Sequence, residues 1–189
     1  MKALLICGSP RKNGNTEFML KSCMNNLSKA GINSELILLA EKNLKPCIAC
    51  MECRKGKPVC SIKDDFESIF KKMIESDIII TGTPVYFGSA TAQIKTLMDR
   101  AGYVSRGNGN LFSRKIGAPI VVARRAGQNF TYAQMVYWYI INDMIVPGST
   151  YWNIGFAGSI GEIENDKEAL SILNRLCENI IWLSEKLKL

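Results

Sequence analysis

Short, continuous apolar runs alternate along the chain with longer segments in which apolar residues recur every three or four positions. Such runs are typical of strands buried on both faces of a parallel sheet, and the spaced segments are typical of amphipathic helices. The predicted strands lie at residues 3–7, 35–39, 77–81 and 119–123, with a fifth between residues 145 and 154. Because strand and helix alternate five times, we predict an α/β fold, an open five-stranded parallel sheet with helices on both faces.

Local sequence signals predict the start of the first helix, one loop and the helix before the fifth strand. Asn15 or Thr16 is predicted to be the N-cap of the first helix, with Glu17 in its first turn. Residues 106–110, Arg-Gly-Asn-Gly-Asn, are expected to form a flexible loop. The helix before the fifth strand is predicted from apolar residues at helical spacing, which are Phe130, Ala133, Val136, Tyr137 and Ile140.

The turn after the first strand, residues 8–16, has the composition of an anion-binding loop. It offers serine and threonine hydroxyls, small residues that let backbone amides approach a ligand, and the basic pair Arg11 and Lys12. The unpaired amides and the dipole of the following helix favour a phosphate group. The spacing of Gly8 and Gly14 fits neither a Walker A loop nor a dinucleotide fingerprint, so flavin mononucleotide (FMN) is the first candidate. An ordinary strand–helix turn with solvated charges is the alternative.

Two further loops share this polar composition. The loops after the first, third and fourth predicted strands are all rich in Gly, Ser, Thr, Tyr and Arg. The carboxyl ends of parallel strands meet at one edge of a sheet, and ligands of open α/β sheets bind there. The three loops are therefore expected to converge on one crevice.

Composition and charge narrow the chemistry. The 189 residues are expected to form a single domain with a cysteine-rich connection at about residues 40–63. Without an export signal or an apolar run of about 20 residues, we expect a cytoplasmic protein with no membrane span. The net charge of +7 comes from scattered basic pairs without a nucleic-acid-binding motif, so no nucleic-acid partner is predicted. Since the chain contains no histidine, a Ser-His-Asp triad is excluded and a cofactor is expected to carry the chemistry.

Two motifs resemble those of the NADPH-dependent FMN reductase family, whose fold is flavodoxin-like. Residues 8–16, Gly-Ser-Pro-Arg-Lys-Asn-Gly-Asn-Thr, resemble its phosphate loop. Residues 83–89, Thr-Pro-Val-Tyr-Phe-Gly-Ser, continuing to Lys95 and to Asp99-Arg100, resemble its second signature, which borders the isoalloxazine ring. The resemblance extends over nearly the whole chain. Within the family the chain is most similar to the iron–sulfur flavoproteins, through its cysteines and residues 124–128, Arg-Arg-Ala-Gly-Gln.

The resemblance implies an FMN site built from three loops. The phosphate would be held by Ser9, Arg11, Asn13, Asn15 and Thr16. The flavin ring would be lined by Pro84, Val85, Tyr86, Phe87 and Gly88, with Ala126 and Gly127 at its other edge. For Tyr86 and Phe87, packing in the protein core is the alternative. The family also implies a homodimer or homotetramer, with the cysteine-rich connection and Tyr137-Trp138-Tyr139 as candidate contacts.

Four of the seven cysteines lie in the connection, as Cys47-x-x-Cys50-x-x-Cys53 followed by Cys60. Four thiolates at this spacing suit one [4Fe–4S] cluster, and they are part of the likeness to the iron–sulfur flavoproteins. Structural zinc is one alternative, and free thiols or a redox pair beside the flavin are another. The remaining cysteines fall in apolar strand and helix patterns and are predicted core residues; they are Cys7, Cys23 and Cys177.

Together these observations predict an FMN-dependent oxidoreductase. With a cluster, single electrons from a carrier such as ferredoxin, steered by Arg54, Lys55 and Lys57, would reach FMN and then a small acceptor such as a quinone. Without a cluster, NAD(P)H would deliver hydride to the flavin directly, as in an NAD(P)H-dependent FMN or quinone reductase. Two hypotheses from other classes are a flavodoxin-like electron carrier with no substrate of its own and a zinc or thiol regulatory module without flavin.

Overall fold

Five parallel strands form the centre of the computed structural model, which describes residues 1–187. The strands are β1 (Lys2–Cys7), β2 (Asn33–Leu38), β3 (Ile78–Pro84), β4 (Ile116–Ala123) and β5 (Ile154–Phe156). Their order in the sheet is β2-β1-β3-β4-β5, and every neighbouring pair is parallel. This is the flavodoxin-like, doubly wound order, and it confirms the predicted fold class.

Five α-helices cover the two faces of the sheet. They are α1 (Asn15–Lys29), α2 (Phe66–Glu75), α3 (Ala92–Gly107), α4 (Gln128–Ile141) and α5 (Lys167–Leu187). One face is packed by α1 and α5, and the other by α2, α3 and α4. Successive side chains of β1 alternate between the two cores, Leu5 into the first and Leu4 and Ile6 into the second. All three are fully buried, as the continuous apolar run predicts.

The strand bounds differ from the prediction by one or two residues in β1 and β2 and by more in the other three strands. The prediction ends β3 at residue 81, but Thr83 continues the strand and pairs with Val121 of β4. β4 begins at Ile116 rather than at residue 119, since the Ile116 N–H donates to the Asp77 carbonyl oxygen at 3.0 Å. β5 begins only at Ile154, the last residue of its predicted window.

Two helix ends also differ from the prediction. The N-cap of α1 is Gly14, so the assignment of Asn15 or Thr16 to that position is wrong. α3 extends through Gly107 and takes up the first two residues of the loop predicted at 106–110. The remainder of that segment is tied to the helix, because the Asn110 N–H donates to the Ser105 carbonyl oxygen at 3.0 Å.

The apolar spacing that predicts α4 lies on the outer side of the helix. Phe130, Tyr137 and Ile140 are 78%, 69% and 59% exposed. The helix packs on the sheet through Met135 and Tyr139, which are fully buried. The pattern therefore predicts the existence of the helix but not the face that it buries.

The hydroxyl group of Tyr139 inserts between two central strands. It accepts the Thr81 N–H of β3 and donates to the Ala118 carbonyl oxygen of β4, each at 3.1 Å. The hydroxyl of Thr81 also contacts it, at 2.6 Å. Gly117 leaves room for the tyrosine ring, since a Cβ atom at that position would lie 2.2 Å from Tyr139 Cδ1. Burial raises the pKa of Tyr139, so the hydroxyl stays protonated and fixes α4 to the sheet.

Candidate functional site

The loop after β1 turns into α1 and leaves its first backbone amides unpaired. The first intrahelical hydrogen bond runs from the Phe18 N–H to the Gly14 carbonyl oxygen at 3.0 Å, so the three preceding amides have no partner within the helix. The Ser9 hydroxyl accepts the Arg11 N–H at 3.2 Å and keeps its own hydrogen for a ligand. The Thr16 hydroxyl makes no hydrogen bond to another residue among 1–187. Unpaired amides at a helix start, with the hydroxyls of Ser9 and Thr16 close to them in the chain, are suited to binding a phosphate.

Asn13 and Asn15 are engaged within the protein. The backbone N–H of Asn13 donates to the Glu17 carboxylate at 2.6 Å, and its side chain is exposed. The Asn15 side chain donates to the Ser159 carbonyl oxygen at 2.8 Å and accepts the Gly161 N–H at 3.0 Å. Asn15 therefore joins the loop after β1 to the loop after β5.

The loop after β3 makes a tight turn at the same edge of the sheet. Tyr86 and Ser89 exchange two backbone hydrogen bonds, of 2.9 and 3.1 Å. The two central residues, Phe87 and Gly88, have φ angles of 50° and 76°, as a type I′ turn requires. The Phe87 side chain is fully exposed, so the core-packing alternative for it is wrong.

The loop after β4 contacts this turn through Gly127. Gly127 has φ of 87°, and a Cβ atom there would lie 3.0 Å from both Gly88 Cα and Val85 Cγ1. It is also the N-cap of α4, and its carbonyl oxygen accepts the Thr131 N–H at 3.1 Å. The absence of a side chain at Gly127 lets the two predicted ring-binding loops approach each other.

The N-cap of α3 joins the first two of these loops. The Thr91 hydroxyl donates to the Gly8 carbonyl oxygen at 2.6 Å, and it accepts the Ile94 N–H of α3 at 3.4 Å. The Thr91 N–H donates to the Thr83 hydroxyl at the end of β3, at 3.1 Å. The phosphate loop and the end of β3 are thus held by one buried residue.

An open cleft with a cavity volume of about 210 Å³ lies between these loops. The predicted flavin residues that line it are Ser9, Arg11, Asn15, Thr16, Pro84, Val85 and Tyr86. The predicted residues outside its lining are Asn13, Phe87, Gly88, Ala126 and Gly127. The cleft has hydroxyls, amides and Arg11 at one end and an apolar wall at the other, so the residues present fit FMN.

The sequence places the loop after β4 at the crevice but does not predict the contribution of the loop after β5. The additional lining residues are Val122, Arg124, Ala157, Gly158 and Ile160. The rule that predicted the other loops applies here as well, because the loop after β5 lies at a strand's carboxyl end. The apolar pattern leaves the limits of the fifth strand open, so it does not show where this loop begins.

The cysteine loop, residues 42–63, contains one short 3₁₀ turn, Glu52–Arg54. It is anchored to the end of α3, where the Asn108 side chain donates to the Cys53 carbonyl oxygen at 2.7 Å. Gly107 permits this approach, since a Cβ atom there would lie 2.9 Å from Arg54 Cγ. The Arg54 guanidinium lies over the Tyr103 ring, 5.2 Å from its centroid.

The four cysteines of this loop line one cavity together with apolar side chains of the loop and of α3. A backbone amide, the Ala49 N–H, donates to Cys47 Sγ at 3.4 Å, and Cys50 Sγ lies 3.0 Å from the Ser61 hydroxyl. The contact with Ser61 lowers the pKa of the Cys50 thiol. Burial, and then the charges of neighbouring thiolates, raise the pKa of Cys53. The cavity therefore gathers sulfur ligands together with hydrogen-bond donors.

A buried ion pair lies beneath the cysteine loop. The side chains of Arg100 and Asp64 are 1% and 0% exposed, and Arg100 Nη1 lies 2.6 Å from Asp64 Oδ2. Burial alone would raise the pKa of Asp64, but hydrogen bonds from Arg100 and the amides of Lys45 and Phe66 lower it. The resemblance includes Arg100 in a signature that borders the flavin, whereas the structure places it in contact with Cys60, at 3.3 Å from the sulfur.

The arrangement of the sulfur atoms bears on the kind of metal site. Among the described residues, no group of three or more His, Cys, Asp or Glu side chains is close enough to hold a single metal ion. A zinc ion would require all four thiolates at one point, whereas each thiolate of a [4Fe–4S] cluster binds its own iron. Four thiols around one apolar cavity, with N–H donors directed at Cys47 and Cys60, fit the cluster.

The other three cysteines are buried, as predicted. Cys7 lies in β1, and Cys23 and Cys177 face each other between α1 and α5 with their sulfur atoms 3.2 Å apart. Burial raises the pKa of Cys7 to about 11. These thiols belong to the core and take no part in the cysteine loop.

The sheet order, the anion cradle after β1 and the cleft at the strands' carboxyl ends define a protein of the flavodoxin-like class. Solved structures share this fold. RosB with a bound formylriboflavin phosphate intermediate superposes with a TM-score of 0.80, covering 100% of this chain and 80% of RosB, at 16% identity. A flavodoxin from the domain Archaea superposes with a TM-score of 0.63 over 100% of both chains, also at 16% identity.

Sequence comparison identifies the family. The NADPH-dependent FMN reductase family matches residues 1–159. An iron–sulfur flavoprotein of Methanocaldococcus jannaschii is 37% identical over 196 aligned residues, covering 100% of both chains. One from Archaeoglobus fulgidus is 34% identical, covering 100% of this chain and 98% of the relative. The chain therefore belongs to the NADPH-dependent FMN reductase family and is an FMN-dependent oxidoreductase. No helix within residues 1–187 is long and apolar enough to cross a membrane.

Proposed function

We propose that this oxidoreductase is an iron–sulfur flavoprotein. In this proposal Cys47, Cys50, Cys53 and Cys60 bind a [4Fe–4S] cluster, and electrons from a reduced carrier pass through it to FMN and on to a small acceptor. The observation that carries the proposal is that the four cysteines line a single cavity. The names of the two relatives, which share the full length of this chain, support it.

FMN would supply the redox chemistry, and the chain's own residues would bind and orient it. The amides at the start of α1 and the hydroxyls of Ser9 and Thr16 would donate to the phosphate, while Arg11 would offset its charge. Val85 and Tyr86 would contact the ring, next to the exposed turn at Phe87 and Gly88. Gly127 would keep the loop after β4 close to the ring's other edge.

The absorption spectrum of anaerobically purified protein, with iron and acid-labile sulfide measured on the same sample, tests this proposal. We expect flavin bands, a broad visible shoulder and about four irons and four sulfides per chain. Cys60→Ala should reduce the iron content, whereas Cys177→Ala, the same change at a buried cysteine outside the loop, should not. Flavin bands without iron and sulfide would contradict the cluster, and zinc in place of iron would indicate a structural metal site.

A second candidate is an NAD(P)H-dependent FMN or quinone reductase without a cluster. The description of the matching family favours it, and so does Arg124, an exposed cation in the lining of the cleft that suits an anionic donor. Anaerobic stopped-flow measurements of flavin reduction by NADPH distinguish the two. Rapid reduction in a cluster-free sample would favour this candidate, and reduction only by a one-electron carrier would favour the first.

We also propose that the electron donor is an acidic protein such as ferredoxin. Arg54 and Lys57 are exposed on the cysteine loop, while Lys55 is paired with Glu52 at 2.7 Å. Basic side chains around an electron entry site would steer an acidic carrier, and salt would screen the attraction. The rate of reduction by ferredoxin should therefore fall as ionic strength rises; a rate independent of salt would contradict this donor.

A homodimer or homotetramer is the assembly that we propose. The outer side of α4 is apolar and exposed, and it includes Tyr137 of the predicted contact cluster. Tyr139 of that cluster is fully buried and is not available to a second copy. Sedimentation analysis should show an oligomer, and exchanging Phe130 and Ile140 for serine should weaken it. A wild-type monomer at micromolar concentration would contradict the assembly.

A further inference from the structure

The guanidinium group of Arg100 contacts the beginning and the end of the cysteine loop and also Asp64, which follows the loop. Nη1 donates to the Lys45 carbonyl oxygen, before the first cysteine, at 2.9 Å. Nη2 donates to Cys60 Sγ at 3.3 Å and, at 3.0 Å, to Oδ1 of Asp64, just after the last cysteine. Nε is buried and has no partner among the described residues. One planar side chain on α3 thus joins both ends of the loop to a proposed cluster ligand.

We propose that Arg100 positions Cys60 and sets the reduction potential of the cluster through its contact with the Cys60 sulfur. This inference rests on the proposed function, because it requires a cluster on the four cysteines. Arg100 acts through Cys60 and is a positioning residue.

The direction of the effect follows from charge. One-electron reduction adds one negative charge to the cluster, so an N–H donor or a cation near a cluster sulfur favours the reduced form. The guanidinium is 1% exposed, and solvent ions screen it little. Asp64 carries the opposite charge in direct contact with it and offsets part of its effect. The potential therefore depends on both members of the pair, with opposite signs.

Lysine cannot reproduce this geometry. Arginine presents five N–H groups in a rigid plane, and two of its nitrogens here serve a carboxylate, a carbonyl oxygen and a sulfur together. A lysine ammonium is a single point on a flexible chain. In Arg100→Lys we expect the ammonium to stay with Asp64, which keeps the charge balance but removes the hydrogen bond to Cys60.

The midpoint potential of the cluster in the holoprotein, followed by electron paramagnetic resonance during an anaerobic titration, tests the proposal. Arg100→Lys should make reduction less favourable by about tenfold, equivalent to about 59 mV for one electron. Asp64→Asn should make it more favourable by about the same factor, since it removes the offsetting charge. Arg54→Gln is the control: it removes an exposed cation of the same loop and should change the equilibrium by less than about twofold.

Opposite shifts in the two variants support the proposal. An unchanged potential in both, or shifts in the same direction, would show that the pair only holds the loop and would overturn it. If Arg100→Lys does not fold, Asp64→Asn decides: a raised potential supports the proposal, and an unchanged or lowered one overturns it. Wild-type protein without iron and sulfide would instead overturn the proposed function, and that result is visible before any variant is made.

Discussion

Replacing Thr16 with valine should weaken the binding of FMN and leave the binding of riboflavin, which lacks the phosphate, unchanged. Thr16 is the second residue of α1, is 2% exposed and lines the cleft. Its hydroxyl makes no hydrogen bond to another residue among 1–187. Valine keeps the branched shape, so the packing of the helix is retained and only a donor to the phosphate is lost.

The magnitude follows from the charge of the acceptor. A hydrogen bond to a charged group contributes about 1.5–3 kcal/mol, which corresponds to an increase in the Kd of FMN of about 10- to 150-fold. The affinity for riboflavin should stay within about twofold, because the ring contacts the other end of the cleft.

Quenching of flavin fluorescence during titration with apoprotein measures both affinities. Thr150→Val, at an exposed threonine outside the cleft, is the matched control and should change neither. Equal losses of FMN and riboflavin affinity would mean that the variant disturbs the whole cleft. An unchanged affinity for FMN would show that Thr16 does not contact the phosphate, and either result refutes the assignment.

Three other variants test the ring site and the buried polar groups. Gly127→Ala places a Cβ atom 3.0 Å from Gly88 Cα at a residue with positive φ, at a cost of about 1–2 kcal/mol. It should weaken the binding of FMN and of riboflavin equally in the same titration. Gly148→Ala, where a Cβ atom meets no other atom within 4 Å, is its control. Tyr139→Phe leaves buried groups of two strands without a partner and should lower the free energy of unfolding in urea by about 2–3 kcal/mol; a change below about 0.5 kcal/mol would contradict the inserted hydroxyl. The pKa of Asp64 is lowered in the folded protein, so its ionised carboxylate stabilises the fold at pH values above 3.8, the ordinary pKa of an aspartate. This contribution is lost progressively as the pH falls below 3.8. The free energy of unfolding of Asp64→Asn should lack that part of the pH dependence. An equal change of this free energy with pH in the wild-type protein and in the variant would refute the prediction.

The sheet could be predicted from the sequence because its strands are buried on both faces. A run such as residues 3–7 is apolar at every position, and each side chain lies in one of two cores. The order of the loops along the chain then predicts which of them meet, since parallel strands end at one edge. The cleft and the grouping of the four cysteines followed from that rule and from spacing.

Features that depend on distant partners could not be predicted in the same way. The Asn15 side chain donates a hydrogen bond to Ser159, 144 positions away in the chain, and Arg100 donates one to the Cys60 sulfur, 40 positions away. Neither partner has a local signal in the sequence. The apolar spacing of α4 predicts the helix but not its buried face, because Phe130 and Ile140 lie on its outer side and the Tyr139 hydroxyl fixes its inner side to the sheet.

α3 links the two sites through one helix. Thr91 at its start holds the phosphate loop, and Arg100 and Asn108 toward its end hold the cysteine loop. A cofactor that orders one end of this helix lowers the entropic cost of ordering the other, and by reciprocity each cofactor raises the affinity for the other by the same factor. Incorporation of flavin and cluster would then be cooperative. In a preparation short of one cofactor, the chains that lack it would also bind the other cofactor less tightly.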